Sequence, residues 1–403
     1  MRLARLLVLV QVLLAAWPAV APAQPSLPER ADRSDRPAER PPERPALDLR
    51  EEITRIEVSV RDLYGRRETR PVTLTQYRPP GDGPFPIAIV NHGRATADRR
   101  AGQPRQRFEQ LARYLVAKGF AVLVPTRVGY GDSYGDFDPE ESGPCNAKRF
   151  EPMATAASDQ VLAALDHALR QPWADTSRWI TLGASVGGMA ALATASRAPA
   201  GLRAAINFSG GAGGDPQRRR ADPCGAVNLE RLWRTQAASA RIDTLWIYWT
   251  HDWYWGEKLP RRWAQAWNEG GGRAEFHQLD PWSTDEVDGH TGVGNDMDRW
   301  VPLVEAFLAR AGFTQSGVIT RPPASGFARV DEVERVPVPA ERRERLYPRF
   351  LEARPPRAFA VGTGGAAGWA SGDWALGRAL GACQASGQAC RLYAVDDEVV
   401  WTP

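Results

Sequence analysis

The sequence predicts an α/β fold in which a mostly parallel central sheet is flanked by helices, with a small module appended at the C-terminus. Three observations support this prediction. Short apolar runs typical of buried strands alternate with longer segments of helical spacing. Two strands of alternating polarity precede them and suit an antiparallel edge. A separate strand–helix–strand pattern follows near the end of the chain.

The first 46 residues are expected to lie outside the fold. A basic start, the apolar run Leu6–Trp17 and the small residues Ala21-Pro22-Ala23 predict a signal peptide at 1–23. The alternative, an uncleaved anchor, is disfavoured because the run is shorter than the roughly 20 residues of a spanning helix. Residues 24–46 are rich in proline, arginine and glutamate, which predicts a disordered tether. We therefore expect a secreted or periplasmic protein that has no membrane span after cleavage.

The full chain of 403 residues has the composition of an ordinary globular protein, with 43% hydrophobic and 25% charged residues. The net charge of +3 includes Arg2 and Arg5 of the predicted signal peptide, so the mature protein is close to neutral. This balance argues against a nucleic-acid partner. The short basic run Arg218–Arg220 is interpreted as a solvated loop.

Four cysteines in an exported chain indicate disulfides, for which three pairings exist. Cys383 and Cys390 are close enough to close a local loop, and Cys145 would then pair with Cys224. There is no CxxC motif and the five histidines are scattered, so no metal site and no cofactor are expected.

The elements of the predicted main domain, residues 47–313, follow one another in a regular order. The alternating strands 53–60 and 71–77 are joined through Tyr64-Gly65, a hairpin signal. Buried strands are predicted at 86–90, 120–124, 179–182, 204–208, 244–249 and 274–279, and helices at 105–118, 152–170, 188–196, 259–268 and 300–311. Such alternation implies a parallel sheet whose functional residues lie at the carboxyl ends of the strands.

The C-terminal part is predicted to contain a linker and a small module. Residues 314–356 are rich in proline and charge, although Glu341–Tyr347 has the pattern of a short helix that Pro348 would end. The module, residues 357–403, is predicted to have a strand at 357–361, a helix at 374–384 and a strand at 390–395. A structural appendage is its favoured interpretation.

Ser185 is the candidate nucleophile. It stands in Gly183-Ala184-Ser185-Val186-Gly187, between a predicted strand and a predicted helix. This is the G-x-S-x-G pattern, in which a sharp turn presents the serine above the start of a helix. The alternative, an ordinary glycine–serine turn, is disfavoured by the strand–turn–helix context.

The serine needs a base, and the base needs an acid, in the chain order serine, acid, histidine. His290 lies in a loop after the last predicted strand and is the preferred base, with His277 as the alternative inside that strand. Asp252 directly follows the apolar run 245–249 and is the preferred acid, with Glu257 as the runner-up.

The oxyanion requires two backbone donors. One is predicted to be the N–H of Val186, directly after the serine, and the other the N–H of Arg94 in Asn91-His92-Gly93-Arg94. In this interpretation His92 orients the loop and is not an acid or a base.

Aromatic residues surround these candidates in the sequence. Trp253, Tyr254 and Trp255 follow Asp252 and are predicted to form the substrate-binding rim of the cleft, with core packing as the alternative. The segment 129–150 is predicted to form a loop over the site.

Residues 50–312, in which Ser185, Asp252 and His290 follow one another in that order, resemble an α/β-hydrolase and are similar to the dienelactone hydrolase family. The resemblance rests on Asn91-His92-Gly93, the motif around Ser185, the strand before Asp252, and Asp288-Gly289-His290. It implies the fold and the triad. The founding members carry a cysteine where this chain has Ser185, which favours a general ester substrate over a cyclic dienelactone.

The leading hypothesis is therefore a serine hydrolase that cleaves small carboxylic esters through an acyl-enzyme. A peptidase or an acyltransferase with the same triad is the first alternative, and a non-catalytic envelope binding protein is the second.

Overall fold

The computed structural model describes residues 46–403, which contain two sheets. The strands of the larger sheet are Glu52–Arg61 (β1), Arg67–Tyr77 (β2), Phe85–Asn91 (β3), Ala121–Pro125 (β4), Ala174–Ala184 (β5), Leu202–Phe208 (β6), Asp243–Trp249 (β7) and Arg273–Leu279 (β8). Their order is β1-β2-β4-β3-β5-β6-β7-β8. The pairs β1–β2 and β2–β4 are antiparallel and the others are parallel, so the predicted parallel sheet with an antiparallel edge is confirmed.

Helices cover both faces of this sheet. They are Ala97–Arg100 (α1), Glu109–Ala117 (α2), Phe150–Ala168 (α3), Val186–Ser196 (α4), Ala226–Ala237 (α5), Lys258–Glu269 (α6), Gly292–Asn295 (α7) and Met297–Arg310 (α8). Strand β3 shows why two layers form. Its residues Ile87 and Ile89 pack with α3 and α4, whereas Ala88 and Val90 pack with α2 and α8. Successive side chains of a strand point to opposite faces, so a strand that is apolar throughout requires a helical layer on each side.

The predicted helices and strands of the main domain are present, with some differences. The short helices α1 and α7 and the longer helix α5 were not predicted. Helix α5 is held by Leu229, Trp233 and Ala237, which recur every fourth residue along its buried face. Helix α2 begins at Glu109, four residues later than expected. Phe108 has a left-handed backbone with φ 48°, which excludes it from a right-handed helix.

The C-terminal part contains Ala340–Glu352 (α9), Arg357–Gly362 (β9), Ala367–Ser371 (β10), Ala375–Gln384 (α10), Cys390–Val395 (β11) and Glu398–Val399 (β12). The four strands form an antiparallel sheet in the order β10-β9-β11-β12. Strands β9 and β11 and helix α10 correspond to the predicted elements, while β10 and β12 were not predicted.

The segment expected to be a linker takes part in this fold. Helix α9 continues through Pro348 to Glu352, so the expectation that Pro348 ends it was wrong. Tyr347 and Phe350, on either side of the proline, are buried against Phe359 of β9. Burial of two aromatic side chains stabilises a helix that the proline alone would weaken.

Both disulfides are formed in the favoured pairing. Cys145 bonds to Cys224, and Cys383 bonds to Cys390. The first links the segment before α3 to the segment before α5, and the second links α10 to β11.

Two of the expectations fall outside the description. The signal peptide at 1–23 and the tether at 24–46, apart from Ala46, lie in residues that the structure does not describe. Between residues 46 and 403, no helix has both the length and the apolar character needed to cross a bilayer.

The topology brings the candidate residues together. Strands β3, β5, β6 and β7 are consecutive neighbours and run parallel, so their carboxyl ends meet at one edge of the sheet. The loop at 91–94, Ser185 and Asp252 follow β3, β5 and β7 respectively. This edge is the place where ligands bind in sheets of this kind.

Candidate active site

Ser185 lies at the sharp turn between β5 and α4. Its backbone has φ 58° and ψ −125°, a region that residues other than glycine rarely adopt. The glycines around it are needed for close packing, because a Cβ at Gly187 would overlap the carbonyl oxygen of Asn91. The strained turn presents the serine side chain at the carboxyl edge of the sheet, as the sequence pattern predicts.

The loop after β3 passes directly beside the serine. A Cβ at Gly93 would lie 3.2 Å from Cβ and 3.7 Å from Oγ of Ser185, so the backbone of this loop is a close neighbour of the hydroxyl. Val186 is the first residue of α4, and its N–H therefore has no acceptor within the helix. The two predicted oxyanion donors, Arg94 and Val186, thus flank Ser185 on different elements.

His92 is buried and hydrogen-bonded within the loop after β3, residues 91–94, which is called the oxyanion loop after its predicted role. Its Nε2 accepts a hydrogen bond from the Arg127 N–H at 3.0 Å, so its Nδ1 carries the proton and donates to the Gly93 carbonyl at 2.7 Å. Burial and the nearby Arg127 guanidinium hold the pKa of His92 well below its ordinary value. The neutral ring supports the structural role that was expected for this histidine.

His290 and Asp252 are in direct contact. Nδ1 of His290 lies 3.0 Å from Oδ2 and 3.2 Å from Oδ1 of Asp252, whose side chain is fully buried. The carboxylate also accepts the backbone N–H groups of Tyr254 at 2.8 Å and Trp255 at 3.1 Å. Since the carboxylate is an acceptor, the proton of the neutral imidazole lies on Nδ1, which leaves Nε2 free to act as a base.

The loop that carries His290 is tied to the loop that carries Asp252. One oxygen of Asp288 accepts the N–H of His290 at 3.0 Å and that of Trp253 at 2.9 Å. The N–H of Gly289 donates to the carbonyl of His251 at 2.8 Å. These hydrogen bonds hold the backbone of the two loops together without using the side chains of Asp252 and His290.

The alternatives weighed for the acid and the base lie elsewhere. His277 is in the edge strand β8 and pairs with Glu275 at 2.8 Å. Glu257 immediately precedes α6 and its carbonyl accepts the side chain of Gln278. Neither residue lines the cavity that contains Ser185.

A cavity of about 300 Å³ joins the candidate residues. Ser185 and His290 both line it, together with the oxyanion loop and a ring of neutral side chains. The lining residues are His92, Gly93, Arg94, Ala95, Gln103, Gln106, Phe108, Tyr130, Ala184, Ser185, Tyr254 and His290.

The three predicted rim residues have different positions. Tyr254 lines the cavity and stacks on His290, with ring centroids 3.9 Å apart. Trp255 is buried behind His290, and its indole N–H donates to the Ser209 carbonyl at 2.7 Å. Trp253 packs beneath the Arg220 guanidinium at 4.2 Å. The predicted substrate-contacting position of Trp253 and Trp255 is therefore not observed, because one ring is used in the core and the other in a cation–π contact.

Tyr130, in the segment 129–150 that was expected over the site, lines the cavity. The sequence did not reveal the roles of Arg127 and Glu140, which form a fully buried ion pair directly beneath the oxyanion loop. Arg127 follows β4 by two residues, at the same edge of the sheet as the loop after β3. That position was a signal available in the sequence, whereas the contact with Glu140 depends on the path of the loop at 129–150.

Comparison with known proteins gives one family. The profile described as X-Pro dipeptidyl-peptidase (S15 family) matches residues 71–278, a little over half of the 403 residues. No curated protein matches this sequence.

Solved structures similar to this one include peptidases and esterases. An acylaminoacyl peptidase of Pyrococcus horikoshii is 15% identical with a TM-score of 0.44, and the match covers 64% of this chain and 41% of that one. A putative dienelactone hydrolase of Klebsiella pneumoniae is 20% identical with a TM-score of 0.36, covering 60% and 89%. Est1E of Butyrivibrio proteoclasticus, solved with ferulic acid, is 13% identical with a TM-score of 0.41, covering 60% and 96%.

The chain thus spans about four tenths of the length of the acylaminoacyl peptidase that it matches. The expected α/β-hydrolase fold is confirmed. By the match over residues 71–278, the chain belongs to the X-Pro dipeptidyl-peptidase (S15) family.

Proposed function

We propose that this protein hydrolyses carboxylic esters of neutral acyl groups through a triad of Ser185, His290 and Asp252. The observation that carries the proposal is the shared cavity, in which the strained Ser185 and the Asp252-bound His290 both take part. A serine at such a turn, with an oriented imidazole in the same cavity, is the arrangement required for nucleophilic catalysis.

The chemistry follows from the positions of these groups. Nε2 of His290 takes the proton of Ser185 as Oγ bonds to the acyl carbon, and the oxyanion accepts the N–H groups of Arg94 and Val186. His290 then protonates the leaving alkoxide, which gives the acyl-enzyme and the alcohol. A water molecule gives a proton to Nε2 of His290 as it attacks the acyl carbon, and His290 then passes that proton to Oγ of Ser185 as the acid leaves.

The charge of the cavity supports an ester over the dipeptidyl substrate in the family's description. A dipeptidyl-peptidase acts two residues from a free α-amino group, and a buried ammonium needs a carboxylate partner. Among the described residues that line the cavity, none is Asp or Glu. The side chain of Arg94 forms ion pairs with Asp138 and Glu140. These two carboxylates are also paired with Arg100 and Arg127, respectively, so neither is available to a substrate ammonium.

Peptide hydrolysis remains the second candidate because the family match favours it. The test compares p-nitrophenyl butyrate with Ala-Pro-p-nitroanilide and its N-acetylated form, with Ser185→Ala as the blank. We expect the ester to have the higher kcat/KM. We also expect the free dipeptide to be cleaved no faster than its N-acetylated form, since a buried ammonium without a carboxylate partner costs binding energy. Faster cleavage of the free dipeptide, abolished by N-acetylation, would show a peptidase.

We further infer that the protein works outside the cytoplasm. The two disulfides support this, since such bonds persist in oxidising compartments. Osmotic-shock fractionation of the source cells and N-terminal sequencing test it. We expect a periplasmic or medium fraction that begins at Gln24, and an intact N-terminus in the cytoplasmic fraction would contradict it.

A further inference from the structure

Arg127 is an unusual residue because its charged side chain is completely buried beneath the oxyanion loop. Its side chain has no exposed surface, and it lies two residues beyond the end of β4. Nη1 donates to the His92 carbonyl at 2.6 Å, and Nη2 donates to the Gly93 carbonyl at 3.3 Å. Its backbone N–H also holds His92 through Nε2.

Glu140 is the counter-charge. Its side chain is likewise fully buried, and it accepts hydrogen bonds from Nε of Arg127 and from the Tyr130 hydroxyl, the latter at 3.2 Å. Glu140 also accepts a hydrogen bond from Nη1 of Arg94 at 3.4 Å, while Oδ2 of Asp138 accepts one from Nη2 of Arg94 at 2.6 Å. The oxyanion loop is therefore anchored at three consecutive residues, by its carbonyls at 92 and 93 and by its side chain at 94.

The pair stays ionised in spite of its burial. Burial acts to lower the pKa of the Arg127 guanidinium, but the Glu140 carboxylate outweighs it and raises that pKa. Burial acts to raise the pKa of Glu140, but Arg127 and then Arg94 outweigh it and lower that pKa. A buried ion pair stabilises a fold less than well-packed apolar side chains would. Stability alone therefore does not explain why Arg127 donates to the carbonyls of His92 and Gly93.

Those hydrogen bonds determine the direction of one peptide group. The Gly93 carbonyl accepts hydrogen bonds from Nδ1 of His92 and from Nη2 of Arg127. The Gly93–Arg94 peptide is trans, so its N–H points opposite to its carbonyl. With the carbonyl held towards Arg127, the Arg94 N–H is directed to the other side, and Arg94 lines the cavity. If this peptide flipped, the Gly93 carbonyl oxygen would take the place of the Arg94 N–H, and an acceptor would stand where the oxyanion needs a donor.

We propose that Arg127, held by Glu140, is a positioning residue that fixes the Gly93–Arg94 peptide so that the Arg94 N–H stabilises the oxyanion. The inference rests on the proposed ester hydrolysis and adds a residue that touches neither substrate nor nucleophile. Its effect is exerted on the transition state, where the negative charge develops.

The experiment compares Arg127→Gln, Arg127→Lys and Arg113→Gln in the full chain. Arg113 is the matched control, since it is a buried arginine of α2 whose ion pairs are with Asp48 and Glu109. For each variant, kcat and KM for p-nitrophenyl butyrate are measured with the inhibition constant of an alkyl trifluoromethyl ketone. This ketone adds Ser185 Oγ to its carbonyl carbon and leaves an oxyanion in the same position as the transition state.

We expect Arg127→Gln to lower kcat by about 10²- to 10³-fold, the effect of losing one oxyanion donor. KM should change little, and the ketone should bind more weakly in proportion to kcat/KM. Arg127→Lys, which keeps the charge and reaches one carbonyl, should be intermediate, and Arg113→Gln should have wild-type kcat.

Wild-type kcat and ketone affinity in folded Arg127→Gln would overturn the proposal. If that variant does not fold, Arg127→Lys decides, because wild-type values in it would have the same meaning. A loss of kcat in Arg113→Gln equal to that in Arg127→Gln would also overturn it. If wild-type protein itself has no ester turnover and Ser185 does not react, the proposed function has failed, which is a different result.

Discussion

At the scale of single residues, His290 has two features that His277 lacks, namely contact with a buried carboxylate and a place in the Ser185 cavity. We expect His290→Ala to lower kcat for p-nitrophenyl butyrate by about 10⁴-fold or more, since triad members act as a unit. His277→Ala, which removes a partly exposed side chain paired with Glu275, is the control. Steady-state kinetics on both variants measure the difference, and the reverse order of effects would assign the base to His277.

The titration of Glu140 gives a pH-dependent prediction for stability. The folded pKa of Glu140 lies below its ordinary 4.5, so the ionised carboxylate stabilises the fold above pH 4.5. This contribution is lost as the pH falls through the lower folded pKa. We expect Glu140→Gln to reduce the free energy of unfolding in urea at about pH 7 and to have a smaller effect at about pH 3.

The control for this titration is Glu344→Gln, at an exposed position of α9. It should show little effect at either pH. An effect of Glu140→Gln that has the same size at both pH values would contradict the assigned direction of the pKa.

The positions of Ser185, Asp252 and His290 could be predicted because each follows from local sequence and from the order of the elements. The roles of Trp253 and Trp255 could not, since adjacent aromatic residues look alike in sequence. Only the turn after Asp252 determines that the Tyr254 ring faces the cavity while Trp255 faces the core. Arg127 and Glu140 were missed because their role depends on contacts between separate loops.

At the scale of elements, the close approach of α4 to β3 depends on glycine. A methyl group at Gly187 would overlap backbone atoms of Asn91 and His92, which cannot move without displacing the oxyanion loop. We expect Gly187→Ala to lower the melting temperature and to abolish ester turnover, because overpacking against backbone is destabilising. Gly102→Ala is the matched control, since nothing lies within 4 Å of its Cβ position and its φ is not positive.

Circular dichroism melting and ester kinetics measure these effects. A Gly187→Ala protein with wild-type turnover would show that the helix and the loop can separate without loss of the site.

Most strands were predictable because each is a short apolar run, and the alternation with helices determined that the sheet is parallel. Helix α5 was missed although its buried residues have helical spacing, because its other positions are mostly polar. The start of α2 could not be predicted, since nothing in the sequence distinguishes Phe108 as a residue with positive φ.

At the scale of the whole molecule, the C-terminal module completes a helix of the main domain. The Asp373 carboxylate accepts the N–H groups of Met297 and Asp298 at the start of α8, at 2.8 and 2.9 Å. In return Asp298 accepts the N–H of Trp374 at 3.0 Å, and the Trp374 ring packs in the core beside α2 and α8. Helix α8 follows the His290 loop, so the module supports the element next to the site.

We expect Asp373→Ala to destabilise the protein by about 0.5–2 kcal/mol, the range for losing a helix cap, while kcat at low temperature is retained. Differential scanning calorimetry measures the first and ester kinetics the second. Asp331→Ala removes an exposed carboxylate with a local partner and is the control. An unchanged melting temperature in Asp373→Ala would mean that the contact between module and α8 contributes no stability.

The division into a main domain at 47–313, a linker and a module at 357–403 stays a prediction. The sequence indicated a separate strand–helix–strand unit whose apolar residues Phe359, Trp369, Trp374 and Trp401 exceed what so small a module can bury alone, which predicts docking on the main domain. Trp374 is buried there. Which of the four residues makes the contact depends on the packing of two folded parts, which local periodicity does not record.

The central claim is that Ser185 is the nucleophile, and covalent labelling tests it most directly. Wild-type protein, Ser185→Ala and Ser209→Ala are treated with a fluorophosphonate, and the labelled peptide is identified by mass spectrometry. Ser209 is the control, because it shares the positive φ of Ser185 and its hydroxyl has no hydrogen-bond partner among the described residues, but it is buried and does not line the cavity. We predict a label on Ser185 in wild-type protein and in Ser209→Ala, and no label in folded Ser185→Ala. A label on another residue, or undiminished labelling of Ser185→Ala, would contradict the account.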